Sequence, residues 1–416
     1  MKRTRASKAN AAMGPSIFSI PDGVLMEILS NLPMTTICNC RCVCSYFRIL
    51  ISNPEFAQLH LSRSQPSLML CSCYSSQSST YVVESFRPCA VDSCESCDNG
   101  PISISNKSPD TPAAVNRLLK FEPKCEVPAE GLKVLSSCNG LICFYGPRTY
   151  NPYVICNPVI DEYVIVPQNE KYNFDQCGSG FGLCPRTEQY KVLRFLSPRI
   201  GFGCPGLIRL EAEINTLGTN LWRRVGDAPR YLHLYSDGCF FNGALHWIVH
   251  DTENCFESMH HFDFGKERFQ PFPGPSQFYR FLGQLRVDAM KMGVLKDRLS
   301  ISYSNCSEDM LDIWVMKDYA VQDSWTKDFV IEMPWVVEPK FGQIYQPLMV
   351  SVHGDILMQF GLSELVSCNM RDRSFCTRKV LIGEIKCVSR AMTYIPSFVS
   401  IRNAAIQRHS LGTSAL

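Results

Sequence analysis

The sequence predicts a small α-helical module followed by an all-β domain, a β-propeller of about six blades. Three observations carry this reading. Apolar residues recur at helical spacing over residues 20–51 and switch to alternation from Leu68 onward. A four-strand unit, opened by a turn and closed by an aromatic strand near proline, then repeats at a spacing of about 40–60 residues. Apolar residues make up 45% of the 416-residue chain, enough for a real core and too many for wholesale disorder.

Residues 1–16, MKRTRASKANAAMGPS, are basic, lack an apolar run and read as a disordered tail. Their composition also leaves a transit peptide or a weak nuclear signal open. In SIPDGVLMEILSNLP, Val24, Leu25, Ile28, Leu29 and Leu32 fall on one helical face. Ser19 and Asp22 fit a capping pair, whose oxygens accept from the free amides at a helix start. Pro21 is tolerated in that first turn because its missing N–H has no intrahelical partner there. Pro33 ends the helix, since it pushes Leu32 out of helical geometry. Thr35 or Thr36 caps a second helix through Ile37 and Cys40. Val43, Phe47, Leu50 and Ile51 line its continuation or a third helix, Asn53–Pro54 stops that, and PEFAQLHL adds a further helical turn. The module spans 17–62, which is small for independent stability. It carries more apolar surface than so few helices can cover, so the β-domain or another chain must cover the rest.

Residues 63–131 read as a strand-containing linker. SLMLCSCYS and STYVVESF alternate like strands, and six prolines mark an exposed loop near 88–131. Over 132–402 five units follow. CNGLICFYG leads to YVICNPVIDEYVIVP, GFGLCPRTEQYKVLRFL to RLEAEINTLGTNLWRRVGDAP, and CFFNGALHWIV to HHFDFGKERFQPFP. MGVLKDRLSISY leads to LDIWVMKDYAVQDSWTKDFVI, and SVHGDILMQF to LVSCNMRDRSFCTRKV. A lone blade cannot bury both its faces, whereas a ring of them can. The strands near 68–86 and 391–401 lack partners, and joining them closes the ring with a sixth, composite blade. A seven-blade ring or an open sandwich fits the same strands. Residues 403–416 read as a disordered tail.

The helical stretch resembles an F-box. Pro21-Asp22, Leu25, Glu27-Ile28-Leu29, Leu32-Pro33, Arg41-Cys42-Val43-Cys44 and Phe47 carry the pattern, and RCVC with NPEFAQLHL resembles its large plant branch. Ile20 stands where the family usually has Leu. Tyr46-Phe47 stands for a small residue and Trp, which implies looser packing at that end. The resemblance implies docking on a Skp-type adaptor, and through it on a cullin and a RING subunit. By position it implies contact or supporting roles for Ile20, Pro21, Leu25, Ile28, Leu29, Leu32, Pro33, Ile37, Val43 and Phe47. On that basis Leu29→Ala or Leu32→Ala is expected to weaken adaptor binding as the loss of an interface anchor.

The β-units are similar to the plant F-box-associated, kelch-like repeat region. Asn139-Gly140-Leu141, Cys156-Asn157-Pro158, Tyr190-Lys191-Val192, residues 217–223 (LGTNLWR), residues 242–247 (NGALHW), residues 313–319 (IWVMKDY) and Ser324-Trp325 carry that likeness. It implies a β-domain that recruits a target protein for ubiquitination and degradation, without naming the target. A scaffold that degrades nothing, or a ligand-binding or enzymatic propeller with a helical cap, are the alternatives.

Net charge is +2, which gives no general reason to expect nucleic acid, an anionic membrane or an acidic substrate. No apolar run approaches the ~20 residues needed to span a bilayer. The 22 cysteines, without a secretory leader, read as mostly free thiols in the reducing cytoplasm or nucleus. GFGCPG at 201–206 matches the dinucleotide pattern, but Pro205 sits inside it and no helix follows. His246 and His250 have the spacing of a helical zinc pair inside a stretch that alternates like a strand, so they and His260-His261 read as ordinary histidines. Cys71, Cys73, Cys89, Cys94 and Cys97 leave a metal site or loop thiols open. GSG at 178–180 reads as a turn without the flanks of a serine nucleophile. No catalytic constellation, metal or cofactor is expected.

Overall fold

The computed structural model describes residues 17–74, 77–83, 102–104, 118–121, 132–146, 152–168, 174–198, 210–229, 238–251, 256–279, 290–305, 310–332, 345–351, 354–361, 364–368, 378–382 and 389–406. The expected tail 1–16, the 201–206 glycine motif, and Cys89, Cys94 and Cys97 lie outside them. The chain divides into two compact units, residues 1–64 and 65–416.

In the first unit a 3-10 turn (Ile17–Ser19) precedes four helices: α1 (Asp22–Ser30), α2 (Met34–Val43), α3 (Ser45–Ile51) and α4 (Pro54–Arg63). The helix starts differ from the sequence expectation. Pro21 and Pro33 are themselves the N-cap residues of α1 and α2, both at φ −56° with extended ψ, and neither helix has a side-chain cap bond. Proline is locked near that φ, so it sets the chain entering a helix without a capping oxygen. Ser19 therefore belongs to the preceding turn, and Thr35 and Thr36 lie inside the first turn of α2. Cys44 is extended (φ −157°, ψ 167°) and splits α2 from α3. At α4 the cap is a side chain: Asn53 accepts from Glu55 N at 2.9 Å, with Pro54 at the first helical position. Leu25, Leu29, Ile37, Leu50, Ile51 and Phe56 form the unit's buried centre.

In the second unit β1 (Ser67–Tyr74) pairs with β2 (Gln77–Val83), and β2 with β4 (Leu118–Phe121); β3 (Ile102–Ile104) lies between them in the chain. Four antiparallel sheets follow in chain order. The first holds β5 (Lys133–Cys138), β6 (Leu141–Tyr145), β7 (Tyr153–Asn157) and β8 (Glu162–Val166). The second holds β9 (Phe174–Cys184), β10 (Gln189–Pro198), β11 (Leu210–Thr216) and β12 (Trp222–Ala228). The third holds β13 (Cys239–Phe241), β14 (Ala244–Asp251), β15 (Phe256–Asp263) and β16 (Arg268–Phe272). The fourth holds β17 (Met290–Leu295), β18 (Arg298–Asn305), β19 (Met310–Met316) and β20 (Trp325–Glu332). A fifth sheet contains β21 (Tyr345–Val350), β22 (Ile356–Phe360), β23 (Glu364–Cys368) and β24 (Arg378–Ile382), with β3 added parallel at its edge. Finally β25 (Arg390–Tyr394) pairs with β1, which makes the composite sixth sheet, and α5 (Ile401–Ile406) follows.

Inner strands touch in ring order: β25 meets β5, β5 meets β9, β9 meets β14, β13 meets β17, β17 meets β21, and β21 meets β25. Each blade thereby buries its faces against its neighbours. Trp222 and Trp325 each open an outer strand and donate their indole N–H to the carbonyl of Pro167 (2.7 Å) and Pro273 (2.9 Å), just past the outer strand of the blade before. This accounts for the recurrent tryptophan and proline of the repeat.

Within 63–131, the strands at 68–86 expected to close the ring are β1 and β2 of the composite blade; the same stretch adds β4 to that blade and β3 to its neighbour. Two other expectations change. GSG at 178–180 lies within β9, not in a turn. A Cβ at Gly180 would lie 2.3 Å from Leu245 Cδ1, so the small residue lets the next blade close in. The expected C-terminal tail begins as helix, and α5 continues to Ile406.

Candidate functional site

The helical unit shows how the sequence-predicted residues divide. In α1 the single apolar face resolves into two stripes. Leu25, Met26 and Leu29 point into the core, while Val24 and Ile28, one turn apart, are about half exposed at 48% and 50%. Ile37 is fully buried in α2, and Val43 at its end is 71% exposed. Phe47, Leu50 and Ile51 bury one side of α3, and Ile49 stands 72% exposed. Of the ten predicted residues, Leu25, Leu29, Ile37 and Phe47 are buried supports. Ile20 and Leu32 are half-buried, and Pro21, Ile28, Pro33 and Val43 are exposed. Leu29 is thus a core residue, so its truncation acts on folding first.

Four exposed apolar residues were missed as surface: Ile17, Phe18, Val24 and Ile49. Ile49 carried the clearest signal, since it falls off the Phe47, Leu50 and Ile51 side of its helix. At the aromatic end Phe18 joins the Tyr46-Phe47 pair. The Phe18 ring meets Tyr46 edge-on at 5.3 Å and lies 6.5 Å from Phe47, and the Tyr46 and Phe47 rings are 5.8 Å apart. The Tyr46 hydroxyl donates to Asp22 Oδ1 at 2.6 Å, and that bond to a carboxylate raises the Tyr46 pKa above its ordinary value. Arg63 ties α4 to α1, pairing with Glu27 at 2.5 Å and donating to Ser30 Oγ at 2.6 Å. Beside it His60 is buried, and desolvation lowers its pKa.

Among the described residues, the histidine candidates lie in the β13–β16 sheet. His246 and His250 both lie on strand β14, so their spacing is not that of one helix face. His246 is fully buried between Cys239 O (3.3 Å) and the Tyr319 hydroxyl (2.9 Å), and burial pushes its pKa down to about 3, which keeps it neutral. Among the described residues no group of three or more His, Cys, Asp or Glu is placed to hold a metal ion, and no helix is long and apolar enough to cross a membrane.

Comparisons with known proteins agree with the two-unit layout. Residues 17–59 match the F-box domain, and residues 101–401 match the F-box associated beta propeller domain. Three similar relatives come from Arabidopsis thaliana. F-box protein At3g07870 is 25% identical, over 85% of this chain and 86% of its own length. F-box/kelch-repeat protein At3g23880 is 25% identical over 82% and 85%, and F-box protein CPR1 is 24% identical over 87% and 84%. An apolar-faced helical unit matching one domain, followed by a ring of blades matching the other, places the chain in the family of F-box proteins with an F-box-associated β-propeller domain.

Proposed function

We propose that the chain is the substrate-recognition subunit of a Skp–cullin–F-box ubiquitin ligase, working in the cytoplasm or nucleus. The helices dock on a Skp-type adaptor, which joins them to a cullin and a RING subunit, and the propeller holds a target protein for ubiquitination and degradation. The observation that carries this reading is the exposed apolar set on the helical unit, with Ile28 on α1 and Val43 on α2, in a region that matches an F-box. Water-exposed apolar groups of this density are best explained by a partner surface. In this role the chain supplies no catalytic group. It raises the effective concentration of a target lysine near a ubiquitin-loaded enzyme carried by other subunits.

Co-expression of the full chain with a Skp-type adaptor tests the reading. Wild type should co-purify with the adaptor, and Ile28→Asp should not, while its thermal unfolding stays at the wild-type midpoint. A folded wild-type chain that fails to capture any Skp-type adaptor overturns it. Target abundance after proteasome inhibition then separates a degrading receptor from a scaffold.

A further inference from the structure

The ring is closed once by pairing β25 with β1. The residues that follow β25 make a second set of bonds, to other blades. Ser397 Oγ donates to Asn139 O at 2.6 Å, in the turn that joins β5 to β6. Asn157, at the end of β7 and fully buried, donates from Nδ2 to Ser397 O (3.0 Å) and Val399 O (2.8 Å), while its Oδ1 accepts from Val159 N (2.9 Å). Glu162, at the start of β8, accepts from both Ser400 Oγ (2.9 Å) and Ile401 N (2.8 Å) through one carboxylate oxygen. Beyond it Ile401 packs into the cluster that holds Leu141, Tyr190 and Leu217, residues of both the β5–β8 and β9–β12 blades.

Two glycines shape the seat. Gly140 (φ +82°) would place a Cβ 2.1 Å from Ser397 Oγ, and Gly218 (φ +83°) would place one 2.5 Å from Ala405 O. Both need a conformation that L side chains rarely adopt and a space that any side chain would fill. Other blades use the corresponding polar groups on themselves. Asn215, at the end of the third strand of its blade, donates to Thr219 O (3.3 Å) and Leu221 O (3.0 Å) in its own turn. Asp263, in the blade after, accepts from Gly265 N and Lys266 N of its own turn. Asn157 instead commits both of its donor bonds to the C-terminal segment.

We infer that residues 395–406 are a latch fastening the β5–β8 blade to the β9–β12 blade, so that opening this seam requires release of the C-terminal segment. Hydrogen exchange on the full-length chain tests it, comparing wild type with Asn157→Ala and Glu162→Ala. Both variants should raise exchange by about tenfold or more in 395–406 and also along β5 and β9, and leave β17 and β21, at the far seam, unchanged. Faster exchange confined to 395–406 would make the segment a passive tail and overturn the inference. So would a uniform rise across every blade. If Asn157→Ala does not fold, Glu162→Ala, at a half-buried position, reads the same two seams.

Discussion

Over residues 17–63 six large apolar side chains stand exposed: Ile17, Phe18, Val24, Ile28, Val43 and Ile49. The described part of the propeller unit is several times longer, yet it exposes only four, Tyr163, Leu221, Val321 and Val330. A ring gives every blade two neighbours to bury against. Four short helices have too small an interior to cover what they carry. The difference separates a unit that completes its own core from one whose apolar surface is built to be finished by another chain.

Four substitutions probe this contrast, from the largest effect to the smallest. Trp247 is almost fully buried, with its ring 5.8 Å from Phe195 and 6.2 Å from Phe269. Trp247→Ala should cost the propeller about 3–5 kcal/mol in denaturant unfolding. Adaptor capture should survive in conditions where that variant still folds; its loss there would break the division of labour. Leu29→Ala should cost the helical unit about 2–5 kcal/mol, through a cavity rather than a lost contact with the adaptor. An unchanged unfolding midpoint with weakened capture would return Leu29 to the interface. Asn53→Ala removes the side-chain bond at the N-cap of α4, which the N-caps of α1, α2 and α3 lack, and should cost about 1 kcal/mol, read as fraying of α4 by amide exchange. Arg63→Met breaks a pair whose side chains are 34% and 55% exposed, so it should change stability by less than about 1 kcal/mol. A larger loss would show that the Arg63 link to Ser30 matters beyond the ion pair.

Much of the fold was legible because the repeat is periodic. The turn, the alternating strands and the tryptophan near proline each answer to a local rule. Closure of the ring was legible too, as two sets of unpaired strands at the chain's ends. What was not legible depended on distant neighbours. Gly180 of β9 looks like a turn residue until Leu245 of the next blade is placed against it. Asn139-Gly140 and Cys156-Asn157 were visible as motifs, but not as the seat of residues near 400. In the helical unit, periodicity found the apolar face of α1 and could not divide it into a core stripe and an exposed stripe one residue apart. The prolines at 21 and 33 hid the helix starts, since they replace a capping side chain with a fixed φ.

The central claim is that the exposed stripe, not the buried one, meets the adaptor. The direct measurement is the dissociation constant of the full-length chain for a Skp-type adaptor, with Val43→Asp compared against wild type at matched thermal stability. Val43 touches the solvent over most of its surface, so the variant should keep the wild-type stability to within about 0.5 kcal/mol. Its affinity should fall by about thirtyfold or more, the loss of roughly 2 kcal/mol expected at an anchor position. An affinity equal to wild type in both Val43→Asp and Ile28→Asp would contradict the account.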